Sequence, residues 1–186
     1  MTEERKDYVL LSHDVLSIQK CIDLVGDTSA GAISTFIGTT RDHFQGKRVL
    51  KLSYEAYESM AERQLYALLK SVRERWNVHH AAVFHRLGEV PIGEASVMIA
   101  ISSCHRKESL EAVSYAIDAL KANVPIWKKE IYDDGDSTWK ENSECSWATS
   151  ATAAHSSTAT PAIAQEHQST SQQTTSKCDD GMASVS

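Results

Sequence analysis

The sequence predicts an α+β fold in which helices cover a largely antiparallel sheet. Three observations lead there. Short β-branched and aromatic runs alternate with longer stretches of helical spacing. Hairpin-like polar links are as frequent as crossover helices, which favours antiparallel pairing. Hydrophobic residues make up 41% of the 186, enough for a core.

The elements follow in order. Residues 8–11 read as a short buried strand. Asp14 is placed to cap a helix over 15–25, with Leu16, Ile18, Ile22 and Val25 as its apolar stripe. Residues 32–40 are β-branched and aromatic and form a strand that ends beyond Gly38 in a polar turn. Residues 42–48 read as a loop broken by Gly46, and 49–57 as a partly alternating strand. Ser59 and Glu62 have capping-box spacing ahead of a helix that buries Leu65, Leu68, Leu69 and Val72. Residues 81–87 and 95–102 read as strands joined by a turn over 89–94, which contains Pro91 and Gly93. A helix over 108–122 should turn Leu110, Val113, Ile117 and Leu120 inward and stop at Pro125. Residues 126–132 form the last full strand, with Trp139 in a short closing segment.

Composition changes after Cys145. Ser, Thr, Ala and Gln dominate residues 146–186, which have too little apolar bulk to offset an ordering cost of roughly 1–2 kcal/mol per residue. The expected organisation is a folded domain over 1–145 and a disordered tail over 146–186.

Charge and composition also exclude some functions. A net charge of -6 argues against a general nucleic-acid binder, though it permits a local basic pocket for a small anion. No apolar run approaches the ~20 residues of a membrane span. The charged opening, Met1 to Asp7, lacks the apolar stretch of a secretion signal, so the expected setting is the cytosol. Cys21, Cys104, Cys145 and Cys178 are too widely spaced for a zinc site or a disulfide framework. Cys104 neighbours His105, but adjacent residues of a strand face opposite ways, so a buried structural thiol is expected. His79, His80 and His85 form no metal-ligand spacing and read as surface or sheet-edge residues.

Three polar clusters lie at the ends of predicted elements: Thr39-Thr40-Arg41, His105-Arg106, and Lys121 with Lys128-Lys129-Glu130 around Pro125. His105-Arg106 sits where free backbone N–H groups at a helix start favour an anion. Taken alone it reads better as an exposed turn whose charges are solvated. Lys121 near a helix end suits the helix dipole. Strand alternation puts Lys128 and Glu130 on one face and Lys129 on the other, and Pro125 can fold Lys128 back towards Lys121. Two amines brought together in this way can supply a base or a nucleophile.

Together the clusters resemble a known family. The run from Gly31 through Phe36, Gly38, Thr39, Thr40 and Arg41 to Asp42 is similar to an early signature of the large subunit of molybdopterin synthase. So are the run over 52–57, His85-Arg86-Leu87-Gly88 and His105-Arg106. The run from Lys121 through Pro125 and Trp127 to Glu130 is the most specific. The resemblance covers about residues 8–145 in the expected order.

It implies an α/β hammerhead-like domain with an added antiparallel β subdomain. It also implies a homodimer at the core of a heterotetramer. Each small, ubiquitin-like sulfur-carrier subunit would thread a C-terminal Gly-Gly thiocarboxylate into the large subunit, and sulfur would pass to cyclic pyranopterin monophosphate. By resemblance Lys121 is the leading catalytic lysine and Lys128 the second. Thr39, Thr40, Arg41, His105 and Arg106 would bind pterin and phosphate, with Lys129 and Glu130 completing the motif. The resemblance leaves open which protomer supplies each pocket residue, and Arg41 or His105 could come from the neighbouring chain. No metal and no cofactor is implied. A phosphate-ester or nucleotide-binding transferase, or a module that only grips a peptide tail, would use the same lysines differently.

Overall fold

A computed structural model describes residues 5–135 and 137–140. The expected boundary at 145 and the tail over 146–186 lie outside the described residues.

The chain opens with strand β1 (Asp7–Ser12), helix α1 (Ile18–Val25), and strands β2 (Ala32–Thr39), β3 (His43–Phe44) and β4 (Lys47–Ala56). Helix α2 (Glu58–Arg75), strands β5 (Val78–Arg86), β6 (Gly88–Pro91) and β7 (Ala95–Ser103), helix α3 (Arg106–Asn123), and strands β8 (Ile126–Tyr132) and β9 (Ser137–Lys140) complete it.

The strands form two sheets. The first has the order β1-β5-β7-β2, antiparallel except for the parallel β1–β5 pair. Strand alternation gives it two buried faces. Val83, Ile99 and Ile101 pack against Leu65, Leu69 and Val72 of α2 and Val113 and Ile117 of α3. Ala82, Phe84, Met98 and Ala100 pack against Leu16, Cys21 and Val25 at α1. The second sheet is antiparallel, in the order β3-β4-β8-β9 with β6 also on β4. The result is an α+β fold with an added antiparallel sheet.

Several local expectations change. Ser17, not Asp14, caps α1, because its hydroxyl accepts from the Lys20 N–H. Helix α2 starts at Glu58 behind Tyr57, so Ser59 and Glu62 lie inside the helix rather than forming a capping box. The loop expected over 42–48 contains a hairpin. Gln45 and Gly46, at φ 49° and 79°, form the tight turn that joins β3 to β4. The turn expected over 89–94 begins as β6, which pairs with β4. Leu110, expected inside, is 57% exposed, and Ala112 and Ala116 take the inner face of α3 instead. Among the described residues no helix is long and apolar enough to cross a membrane.

Candidate active site

Pro125 creates the site. Its ring disfavours helical geometry at the preceding residue, and Val124 is extended at φ -85°, ψ 127°. Helix α3 therefore ends at Asn123, with Lys121 in its last turn. The chain reverses at once into β8, whose register on β4 sets Lys128 opposite Tyr54 and Glu130 opposite Leu52. The inner face of β8 meets the end of α3 and the far ends of β2, β5 and β7 around a cavity of about 480 Å³. Lys121, Lys128, Glu130, Arg41 and Thr39 line it, together with Phe36, Leu52, Tyr54, His85 and Ser96.

Charge in this cavity is organised. Glu130 is buried and accepts from the Tyr132 hydroxyl, and it holds the Lys128 ammonium at 3.3 Å. The Tyr54 hydroxyl donates to Ser96 Oγ at 3.2 Å, and Ser96 donates to the Gly38 carbonyl at 3.3 Å. Burial pushes the Tyr54 hydroxyl above its usual range, so it remains a neutral donor. His85 is buried edge-on to Tyr54, with ring centroids 5.0 Å apart. Burial pushes its pKa down to about 4, against a smaller opposing effect of the Arg86 carbonyl. That carbonyl, 2.8 Å away, accepts the Nδ1–H. The ring is neutral near pH 7, and charge around the cavity comes from Arg41, Lys121, Lys128 and Glu130. Arg41 lies at the rim, 5.9 Å from the centre of the Phe44 ring.

The remaining candidates lie elsewhere. Thr40 is buried and turned into the β6–β7 turn, where it donates to the Val90 carbonyl and pairs through its backbone with Gly93 and Glu94. Lys129 is opposite Ser53 and Trp139 on the strand and does not line the cavity. His105 and Arg106 are exposed at the start of α3. Fifteen residues of helix at 1.5 Å each put Arg106 roughly 22 Å along the axis from Lys121.

Sequence reasoning missed Tyr54, His85 and Ser96 as cavity residues. Tyr54 had a signal, since it alternates inward with Leu52; His85 and Ser96 had none, because the partners that shape their surroundings are distant in sequence. Contrary to expectation, His85 is buried in an inner strand, and His79 and His80 have side chains only 20% and 12% exposed. Cys104 is exposed rather than buried, because β7 ends at Ser103 and alternation no longer governs the next residue. Among the described residues no group of three or more His, Cys, Asp or Glu is arranged to hold a metal ion.

The family model described as MoaE protein matches residues 11–123. The chain belongs to the MoaE family. A bovine relative of that family, the molybdopterin synthase catalytic subunit of Bos taurus, is 57% identical over 148 residues, 80% of this chain and 78% of the bovine protein. The MoaE fold also appears in the solved structure of molybdopterin synthase from Staphylococcus aureus. That chain is 34% identical, with a TM-score of 0.67 over 72% of this chain and 95% of its own. A chain from the complex of subunits 1 and 2 of the molybdopterin-converting factor of Helicobacter pylori shares the fold at 20% identity. Its TM-score is 0.59, over 75% of this chain and 92% of its own.

Proposed function

We propose that this MoaE-family chain is the catalytic subunit of a molybdopterin synthase and acts as a sulfurtransferase. It would move sulfur from the C-terminal thiocarboxylate of a small ubiquitin-like subunit to cyclic pyranopterin monophosphate, forming the dithiolene of molybdopterin. One observation carries this reading: a proline-forced reversal brings Lys121 and Lys128 into a single cavity with Arg41. A thiocarboxylate and a phosphate are both anions, and an acidic protein must gather cations locally to hold them. Fixed charge aimed at developing negative charge is a large source of rate.

In this reading Lys121 meets the thiocarboxylate and is the leading catalytic group. Lys128, steadied by Glu130, binds substrate and moves a proton. Thr39 and Arg41 hold the pterin at the rim, while Thr40 braces the segment that carries them and Lys129 supports the strand from its other face. The pairing of two subunits in the H. pylori complex supports a carrier partner here. A Gly-Gly tail has no side chains and can enter a narrow opening, held through its backbone.

His105 and Arg106 are too far along α3 to join the cavity of their own chain. In a homodimer they serve the neighbouring copy.

Two measurements test this. Purified chain, a thiocarboxylated small protein ending in Gly-Gly, and the cyclic pterin should give sulfur incorporation by mass spectrometry. Lys121→Ala should lose about 100-fold in turnover while its circular dichroism and co-purification with the small protein are unchanged. Undiminished turnover refutes the assignment. Co-expressed Lys121→Ala and Arg106→Ala chains, each inactive alone, should recover about a quarter of the activity through hybrid dimers with one intact site. No recovery rules out the two-copy site.

A further inference from the structure

The loop after α1 and the ends of β5 and β7 bring together four side chains that do not line the cavity of their own chain: Asp27, Ser29, His79 and Cys104. Cys104 Sγ lies 3.1 Å from His79 Nε2. His79 Nδ1 lies 3.1 Å from Ser29 Oγ, which lies 2.6 Å from Asp27 Oδ1.

The count of hydrogens fixes the direction of this chain. Ser29 has one hydroxyl hydrogen, and it goes to the Asp27 carboxylate. The Ser29 oxygen must then accept from His79, so Nδ1 carries the ring hydrogen and Nε2 presents its lone pair to the thiol. Asp27 is anchored independently. Its side chain is 1% exposed, accepts from the Ser29 backbone N–H at 2.7 Å and has its Oδ2 3.2 Å from His80 Nε2. His80 can donate there because its Nδ1 accepts the Lys6 N–H at 3.1 Å. Charged groups nearby include the Asp27 Oδ2, 3.7 Å from His79 Nδ1, Arg73, which pairs with Asp7 and donates to the His79 carbonyl at 3.0 Å, and Arg106, two residues beyond the thiol. Cys104 is exposed, whereas Cys21 is fully buried and burial pushes its thiol up to about 11.

We propose that Cys104 is a site of thiol–disulfide exchange with low-molecular-weight disulfides, with His79 as its proton acceptor and Ser29 and Asp27 as positioning residues. The thiol proton passes to His79 Nε2, and the thiolate attacks one sulfur of the incoming disulfide. The S–S bond of that disulfide breaks as the mixed disulfide on Cys104 forms. The departing sulfur takes the proton from the imidazolium. Cys104 is oxidised and half of the reagent is reduced, so nothing else is consumed.

The test uses the full chain carrying Cys145→Ser and Cys178→Ser, with glutathione disulfide as the probe. Intact mass and peptide mapping should place a dithiothreitol-reversible adduct on Cys104 and none on Cys21. His79→Gln should slow its formation about tenfold or more at pH 7. The deficit should narrow at pH 9, where hydroxide replaces the histidine as proton acceptor. Ser29→Ala, an exposed change, should slow it severalfold at pH 7 and decides the matter if His79→Gln does not fold. Parent rates in these variants, equal labelling of Cys21, or a deficit unchanged at pH 9 would overturn the proposal.

Discussion

Strands β5 and β7 of the first sheet bury both faces, with Val83 and Ile99 towards α2 and α3 and Phe84 and Met98 towards α1. Strands β4 and β8 of the second sheet instead use one face to line a cavity with Tyr54, Lys128 and Glu130. The difference is chemical as well as geometric. The first sheet packs mainly apolar side chains between its helices. The second keeps polar groups inside, and each polar group must find a partner, as Glu130 does in Tyr132 and Lys128. Stability should therefore rest mainly on the first sheet and chemistry on the second.

Substitutions can break or sharpen that contrast. The largest effect is expected from Ile99→Ala, which opens a cavity at a fully buried position in the first sheet. It should cost about 3–4 kcal/mol of unfolding free energy by denaturant titration. A loss under about 1 kcal/mol would show that the packed sheet is not the mainstay. His85 lies where the two regions meet. An unfolded histidine protonates near pH 6.5, whereas folded His85 resists to about 4, so between those values the unfolded chain binds more protons. Stability present at pH 7 should fall as pH drops through that window, by up to about 3 kcal/mol. Titrations at pH 7 and pH 5 should show a shallower fall for His85→Leu than for the parent chain. Lys121→Ala comes next, as a change of turnover with little change of stability. Its 100-fold deficit corresponds to about 2.7 kcal/mol of barrier, while its unfolding free energy should stay within about 0.5 kcal/mol of the parent. The smallest effect is expected at the edge of the second sheet. Gly46→Ala puts a side chain at φ 79° and should cost about 1 kcal/mol by the same titration, with turnover unaffected.

The contrast also explains what could be read in the sequence. β8 falls on the residues expected for it, and the shared face of Lys128 and Glu130 follows from alternation alone. The inner residues of α2 were equally legible because Leu65, Leu68, Leu69 and Val72 repeat at helical spacing. Failures gather where distant parts of the chain meet. His79 and His80 are shielded by Asp27, about fifty positions earlier, and no local pattern announces that. Helix starts were misjudged because several capping residues compete within a few positions, and tertiary packing selects among them. The β3–β4 hairpin was hidden because Gln45 adopts a backbone conformation usually left to glycine or asparagine. Of the expected site residues, Thr39, Arg41, Lys121, Lys128 and Glu130 share one cavity, Thr40 and Lys129 do not line it, and His105 and Arg106 sit a helix length away.

The joint between α3 and β8 is two residues long, Val124 and Pro125. Strand faces alternate with a period of two, so the joint acts as a parity counter. One residue gained or lost there, if it slid β8 by one position along β4, would present Lys129 inward and turn Lys128 and Glu130 outward. Substitutions at this hinge can be graded in their effect, but a change in its length is all or nothing. Variation in chain length within the family should therefore be accommodated in outer hairpins such as the one at Gly46, and not at this joint.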